Sequence, residues 1–211
     1  MTGKRAQSDW LMLQPRPDYV DHLDAAWTQE AVRAGILCPA CKRRAPQNIG
    51  RPLRVTLRES PYPRPFGTTL VCLIARRDFI DALNAIGSDL LEHCTTGAVT
   101  IASGKDAPGY ATLSPCTAIA IRGAGAAGMG RCCRTCRRFR YFPMPWESRH
   151  LVRGTFDESR RLHTTQVGVL AVRQEIWEEI PSVFKKKIKA WPLPVKDEPE
   201  DGIEDFPPVW P

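Results

Sequence analysis

Two short cysteine pairs, Cys38-Pro-Ala-Cys41 and Cys133-Arg-Thr-Cys136, constrain this chain more than any other feature. A CxxC turn brings both of its sulfurs to one side of a tight loop, and two such turns complete a tetrahedron. Four cysteines so arranged form the closed geometry of structural zinc, with Zn–S bonds of ~2.3 Å and no coordination position left for chemistry. The pairs are separated by 91 residues, far more than the ~15–20 of a continuous zinc ribbon. The spacing therefore predicts a site assembled by tertiary folding, with zinc as the cofactor and Cys38, Cys41, Cys133 and Cys136 as its ligands. Cys132 competes for the second position, but CxxC spacing favours Cys133.

A redox dithiol is the competing reading of a CxxC pair. It requires a strand before the motif and a helix opening at the first cysteine, whose dipole lowers the thiol pKa. Here Cys38 follows the helix-like stretch from Asp21 to Gly35, and Cys133 follows a glycine-rich run. The eight cysteines do not suggest a disulfide framework, which does not persist in a reducing cytosol. Cys72 lies in the apolar run Leu70 to Ala75, where a free thiol behaves as a small core hydrophobe.

With 211 residues and 43% hydrophobic content, the chain can bury a core of its own. No apolar run approaches the ~20 residues of a spanning helix, and no apolar stretch follows the basic residues near Met1. The expectation is a cytoplasmic protein with no membrane partner. The formal net charge is +7, with basic clusters at Lys42 to Arg44, Arg131 to Arg140 and Lys185 to Lys189. Two of the clusters flank the cysteine pairs, where cations offset the net −2 of a four-thiolate zinc site.

Thr69 to Ile80 laid over Thr165 to Ile176 matches Thr, Val, Ala, Arg and Ile at an offset of 96, and the CxxC pairs are offset by 95. Self-similarity of this kind points to duplicated architecture. Each half reads as a cysteine knuckle, a variable stretch, a β-rich run and an amphipathic helix. The first helix is expected over Arg77 to Ile86, with Phe79, Ile80, Leu83 and Ile86 at helical spacing. The second is expected over Gln174 to Phe184, with Ile176, Trp177 and Ile180 inward and Pro181 ending or kinking it.

Ala98 to Ala102 and Thr117 to Arg122 read as strands. The fold class expected is α+β: two related strand-plus-helix lobes joined by a zinc-ribbon-like four-cysteine site, with an extended C-terminal tail. The boundaries are 1–110 for the first lobe, 111–185 for the second and 186–211 for a proline-rich acidic tail.

Gly123 to Gly130 lacks the Lys-Ser/Thr ending of a phosphate loop and reads as a connector. His22, His93, His150 and His163 show no paired ligand spacing. No nucleophile elbow, catalytic carboxylate pair or Cys/His signature is present, so the chain is not expected to be an enzyme. In the tail, Trp191, Phe206 and Trp210 alternate with prolines and carboxylates. Regular structure is not expected through so many prolines, and the three aromatics are candidates for packing on the body or for partner binding.

The order of Cys38-Pro-Ala-Cys41, the apolar strand with Arg76-Arg77 and its helix, Cys133-Arg-Thr-Cys136, and the final Val167 to Arg173 strand plus helix resembles the double-CxxCG immunity proteins of myxobacteria. The resemblance covers roughly Ala31 to Phe184. It implies a protein that protects a cell by binding a cognate toxin delivered by sibling cells. The family's glycine after each second cysteine is Lys42 and Arg137 here. Glycine permits the positive φ common in zinc knuckles, and a basic residue adopts it only at some cost.

Two functions compete. One is an immunity protein that neutralises a toxin stoichiometrically and uses zinc for shape. The other is a zinc-ribbon nucleic-acid-binding protein, in which basic knuckles meet phosphate while Phe139, Tyr141 and Phe142 stack on bases. The oligomeric state is not readable.

Overall fold

Short apolar strands dominate the chain and helices are few, which makes this a mixed α+β protein. The structure, a computed structural model, describes residues 9–16, 21–48, 50–69, 71–115, 121–123, 133–136, 149–154, 156–164 and 170–197. In chain order the elements are β1 (Trp10–Pro15), α1 (Ala25–Arg33), β2 (Val55–Leu57), β3 (Phe66–Thr68), β4 (Leu73–Arg76) and α2 (Arg77–Ile86). There follow β5 (Cys94–Ile101), β6 (Asp106–Pro115), β7 (Ile121–Gly123), β8 (Arg149–Val152), β9 (Leu162–Thr164) and β10 (Leu170–Arg173). The chain continues with α3 (Gln174–Glu179), α4 (Ser182–Lys185), β11 (Ile188–Pro192) and β12 (Val195–Lys196).

The strands form three sheets, in the orders β2-β5-β6-β4-β3, β11-β1-β10-β9 and β12-β8-β7. In the first, β3 and β4 make an antiparallel hairpin with Thr68 opposite Leu73 and Phe66 opposite Ala75. In the second, β9 and β10 do the same, with Thr164 opposite Leu170 and Leu162 opposite Val172. Each hairpin runs straight into a helix whose N-cap is an arginine in extended conformation, Arg76 or Arg173, with no side-chain cap. Asp78 and Glu175 stand in the first turns, where carboxylates oppose the helix dipole.

Leu73, Ala75, Phe79 and Leu83 from the first unit pack in one core with Leu170, Val172, Ile176 and Ile180 from the second. The i, i+2 spacing on the strand places two residues on its inner face, and the i, i+4 spacing does the same on the helix.

The expected helix over Arg77 to Ile86 forms over those residues. The second expected helix is interrupted. α3 ends at Glu179, and Pro181, which offers no N–H and disfavours α backbone at Ile180, separates it from α4.

The register of the two units also differs from the single offset of 96. It is 96 across β3 and β9 but 97 across β4 and β10, because five residues separate β9 from β10 and four separate β3 from β4.

The expected boundaries do not follow the sheets. β1, placed with the first lobe, pairs with β10 and β11 of the second. The tail placed at 186–211 begins with two strands, β11 against β1 and β12 parallel to β8. Proline excludes a segment from central strands only, and β11 is the outer strand of its sheet, so Pro192 removes no ladder bond that the sheet needs.

Candidate metal centre

The first knuckle is set up by the end of α1. Asp24 caps that helix by accepting from the Trp27 N–H at 2.9 Å. At the other end Gly35 takes φ 70. The Gly35 N–H donates to the Val32 carbonyl and the Ile36 N–H to the Ala31 carbonyl. These paired bonds satisfy orphan carbonyls and reverse the chain. Ile36 and Leu37 then lead directly to Cys38.

A narrow antiparallel bridge, Leu37 opposite Arg44, closes the knuckle. Within it the Cys38 N–H donates to Arg43 O at 2.7 Å and the Lys42 N–H to Cys38 O at 2.9 Å. Lys42 sits at φ 60, the only non-glycine residue with positive φ among the described residues. The backbone here adopts the conformation glycine favours. Lys42 Nζ donates to the Pro39 carbonyl at 2.7 Å, a local bond that offsets part of the strain.

Residues 133–136 supply the second knuckle. Cys38 Sγ lies 3.7 Å from Cys133 Sγ, and Cys41 Sγ lies 3.4 Å from Cys136 Sγ. All four sulfurs are within 4.8 Å of one another. Zn–S bonds of ~2.3 Å correspond to a tetrahedral edge of about 3.8 Å, and a disulfide would require about 2.05 Å. The four cysteines are therefore unbonded thiols close enough to hold a metal ion. Cys38, Cys133 and Cys136 are buried, while Cys41 is half-buried. No other group of three or more potential ligands occurs among the described residues.

The electrostatics favour thiolate at part of this site. Burial pushes the Cys133 thiol up, but the backbone N–H groups of Cys136 and Thr135 and the neighbouring thiols outweigh it and bring it down to about 6. For Cys41 burial prevails and raises the thiol, against a backbone N–H from Arg43. Arg43 also supplies a cation beside the sulfurs. Burial lowers its guanidinium, while Cys41 and Cys136 draw it up again.

The first cysteine pair does not open a helix. Cys38 follows the C-terminal end of α1.

Of the remaining sequence candidates, Cys72 is 4% exposed and its thiol is pushed up to about 11 by burial, so it behaves as a core hydrophobe. Trp191 is half-buried in β11. Its indole N–H donates to Gln14 Oε1 at 2.9 Å and Lys189 Nζ stands 3.3 Å above its ring. These contacts engage it within the protein. Cys116, Cys132, Arg137, Phe139, Tyr141, Phe142, Phe206 and Trp210 lie outside the described residues.

The sequence reading missed two polar features that flank the hairpins. Arg64 and Asp21 form a 2.8 Å ion pair at 1% and 5% side-chain exposure. His93 and His163 meet with ring centroids 5.8 Å apart, beside Trp10 and Phe156. Nothing in residue spacing announces either one, because each joins groups remote in the chain.

Compared with protein-family models and with curated proteins, this chain matches none. Among the described residues no helix is long and apolar enough to cross a membrane.

Proposed function

We propose that this is a cytoplasmic immunity-type protein that neutralises a cognate toxin by stoichiometric binding, held in shape by one structural zinc ion. The observation that carries this reading is the closed set of four thiols, with sulfur spacings of 3.4 and 3.7 Å that fit a tetrahedral ion. Such a site leaves no position for water or substrate, so the metal's contribution is folding free energy and not turnover. The motif order it shares with double-CxxCG immunity proteins supplies the toxin part of the reading. The two hairpin-plus-helix units support a duplication, since strand register, arginine N-cap and inward residues correspond in both.

Freshly purified, reduced protein is expected to carry about one zinc per chain by metal analysis. Cys38→Ser or Cys136→Ser should release it and lower the melting temperature. Protein without metal would end the structural role. Co-expression with the product of the adjacent reading frame is expected to relieve growth arrest at equal stoichiometry. Arrest that persists with the protein in excess would exclude toxin neutralisation and leave the zinc site standing.

A further inference from the structure

The four sulfurs of the cluster are not equivalent. Cys133 and Cys38 are 0% and 2% exposed and their sulfurs lie 3.7 Å apart, one from each knuckle. Cys136 is 8% exposed and Cys41 half-buried, and these sulfurs lie 3.4 Å apart, again one from each knuckle. The site therefore has an inner pair closed to solvent and an outer pair that solvent reaches at Cys41. Around the outer pair the chain is open: Pro39, Ala40 and Lys42 are exposed in the first knuckle, as are Arg134 and Thr135 in the second.

Charge follows the same division. The Arg43 guanidinium is within electrostatic reach of Cys41 and Cys136, the two outer sulfurs. The Arg43 backbone N–H also bonds to the Cys41 sulfur. Reactive cysteines occupy settings of this kind, partly exposed beside a cation, with a second thiol poised to resolve the first oxidation product. Thiols as buried as the inner pair are inert by comparison. Zinc, when bound, keeps its ligands as thiolates, the form that attacks an oxidant.

We propose that the outer pair is an oxidation site for a hydroperoxide, at which Cys41 and Cys136 close into a disulfide that takes over from zinc as the tie between the knuckles. This inference rests on the zinc reading above. It differs from dithiol catalysis within one CxxC pair, because the sulfurs that join come from different knuckles.

The Cys41 thiolate attacks one peroxide oxygen, so that an S–O bond forms, the O–O bond breaks and hydroxide leaves, taking up a proton to become water. The Cys136 thiolate then attacks the Cys41 sulfur. An S–S bond forms, the S–O bond breaks, and the second hydroxide likewise leaves as water. Two electrons pass in all from the two sulfurs to the peroxide. Closing 3.4 Å to a bond of ~2.05 Å asks for an approach of about 1.4 Å. Cys38 and Cys133 alone fall short of the four ligands of a structural site, so zinc is released. The new bond joins residues 95 apart in the chain, the span that the metal bridged.

The test adds hydrogen peroxide to full-length, zinc-loaded protein and follows released zinc with a chromogenic chelator. Disulfides are then mapped by peptide mass spectrometry after free thiols are blocked. About one zinc per chain should appear, with a Cys41–Cys136 linkage, free Cys38 and Cys133, and a cooperative melting transition retained. Dithiothreitol with added zinc should restore the metal. Cys41→His keeps a ligand at that position, since three cysteines and a histidine also hold zinc, and should slow release about tenfold or more. Cys94→Ala, which removes the other half-buried thiol among the described residues, should leave the rate unchanged. Any other pairing, such as Cys38 with Cys41, would overturn the assignment of the outer pair. Zinc release without a disulfide, or with loss of the melting transition, would overturn the disulfide as a replacement tie. Should Cys41→His fail to fold, the peptide map of the natural chain decides by itself. Zinc kept under excess peroxide would remove the proposal and leave the structural site standing, whereas protein purified without metal would remove both.

Discussion

In the first hairpin Gly67 stands opposite Ile74, and in the second His163 stands opposite Ala171. The large and small members of the pair have changed places, while the residues facing the shared core stay apolar, Phe66, Leu73, Ala75 and Phe79 in one unit and Leu162, Leu170, Val172 and Ile176 in the other. The space over Gly67 is occupied by the Arg64–Asp21 ion pair, and a Cβ there would run into both side chains. The space at His163 is occupied by the imidazole itself, packed against Trp10, Phe156 and His93. Even the third strand corresponds: Tyr110 of β6 lies opposite Arg76 as Trp10 of β1 lies opposite Arg173, whose guanidinium covers the indole at 4.5 Å. One architecture thus tolerates two unlike ways of filling its outer face, a buried charge pair and a neutral aromatic cluster. Inner faces stay apolar because both meet the same close-packed core.

The comparison breaks most readily in the first unit. Asp21→Ala leaves the Arg64 guanidinium buried without its carboxylate, and a loss of about 3–5 kcal/mol is expected in urea unfolding. Asp21→Leu with Arg64→Met should recover much of that loss, because apolar groups of similar volume need no compensation. A single-variant loss as small as that of an exposed pair would mean that the ion pair does not occupy the site energetically.

Acid should sharpen the contrast by acting on the second unit. Burial, with Arg160 and His163 nearby, pushes His93 down to about 4, against an opposing pull from Asp157. Burial also lowers His163, partly opposed by its contact with the Asp157 carbonyl, with Arg160 and Arg173 adding to the lowering. Both are depressed below an ordinary value near 6.5, so between that pH and about 4 the unfolded chain binds more protons than the folded one. Stability is therefore fully present above pH ~6.5 and drains as pH falls toward 4, by about 3 kcal/mol for His93 at 1.36 kcal/mol per unit. His93→Gln should flatten the urea midpoint measured across pH 7 to 4. An unchanged slope in that variant would place the acid response outside the imidazole cluster.

The smallest effect concerns the knuckles. Lys42→Gly relieves left-handed strain of about 1–2 kcal/mol but adds about 0.5–1 kcal/mol of unfolded-chain entropy. A net gain of up to about 1 kcal/mol is expected, with zinc content unchanged. A clear loss would show that the Lys42 Nζ bond to Pro39 matters more to the knuckle than its strain.

Local chemistry was legible in the sequence. Two CxxC pairs at equal offset named the four sulfurs, helical spacing of Phe79, Ile80 and Leu83 placed α2, and Pro181 marked the break between α3 and α4. The buried Cys72 followed from its apolar neighbours. These features depend on residues close together in the chain, where steric and hydrogen-bonding rules act directly.

What only the tertiary structure decided concerns groups that find their partners at long range. A strand's pairing is undetermined until another strand satisfies its backbone, so nothing local to Trp10–Pro15 indicates that β1 lies between β10 and β11. The same holds for β11, whose Pro192 argues against a strand until its place at a sheet edge is known. Asp21 and Arg64, 43 residues apart, and His93 and His163, 70 apart, are ordinary surface residue types by sequence. Burial alone makes them consequential, because removing a charge or an imidazole from water has a cost that only a folded neighbour can offset.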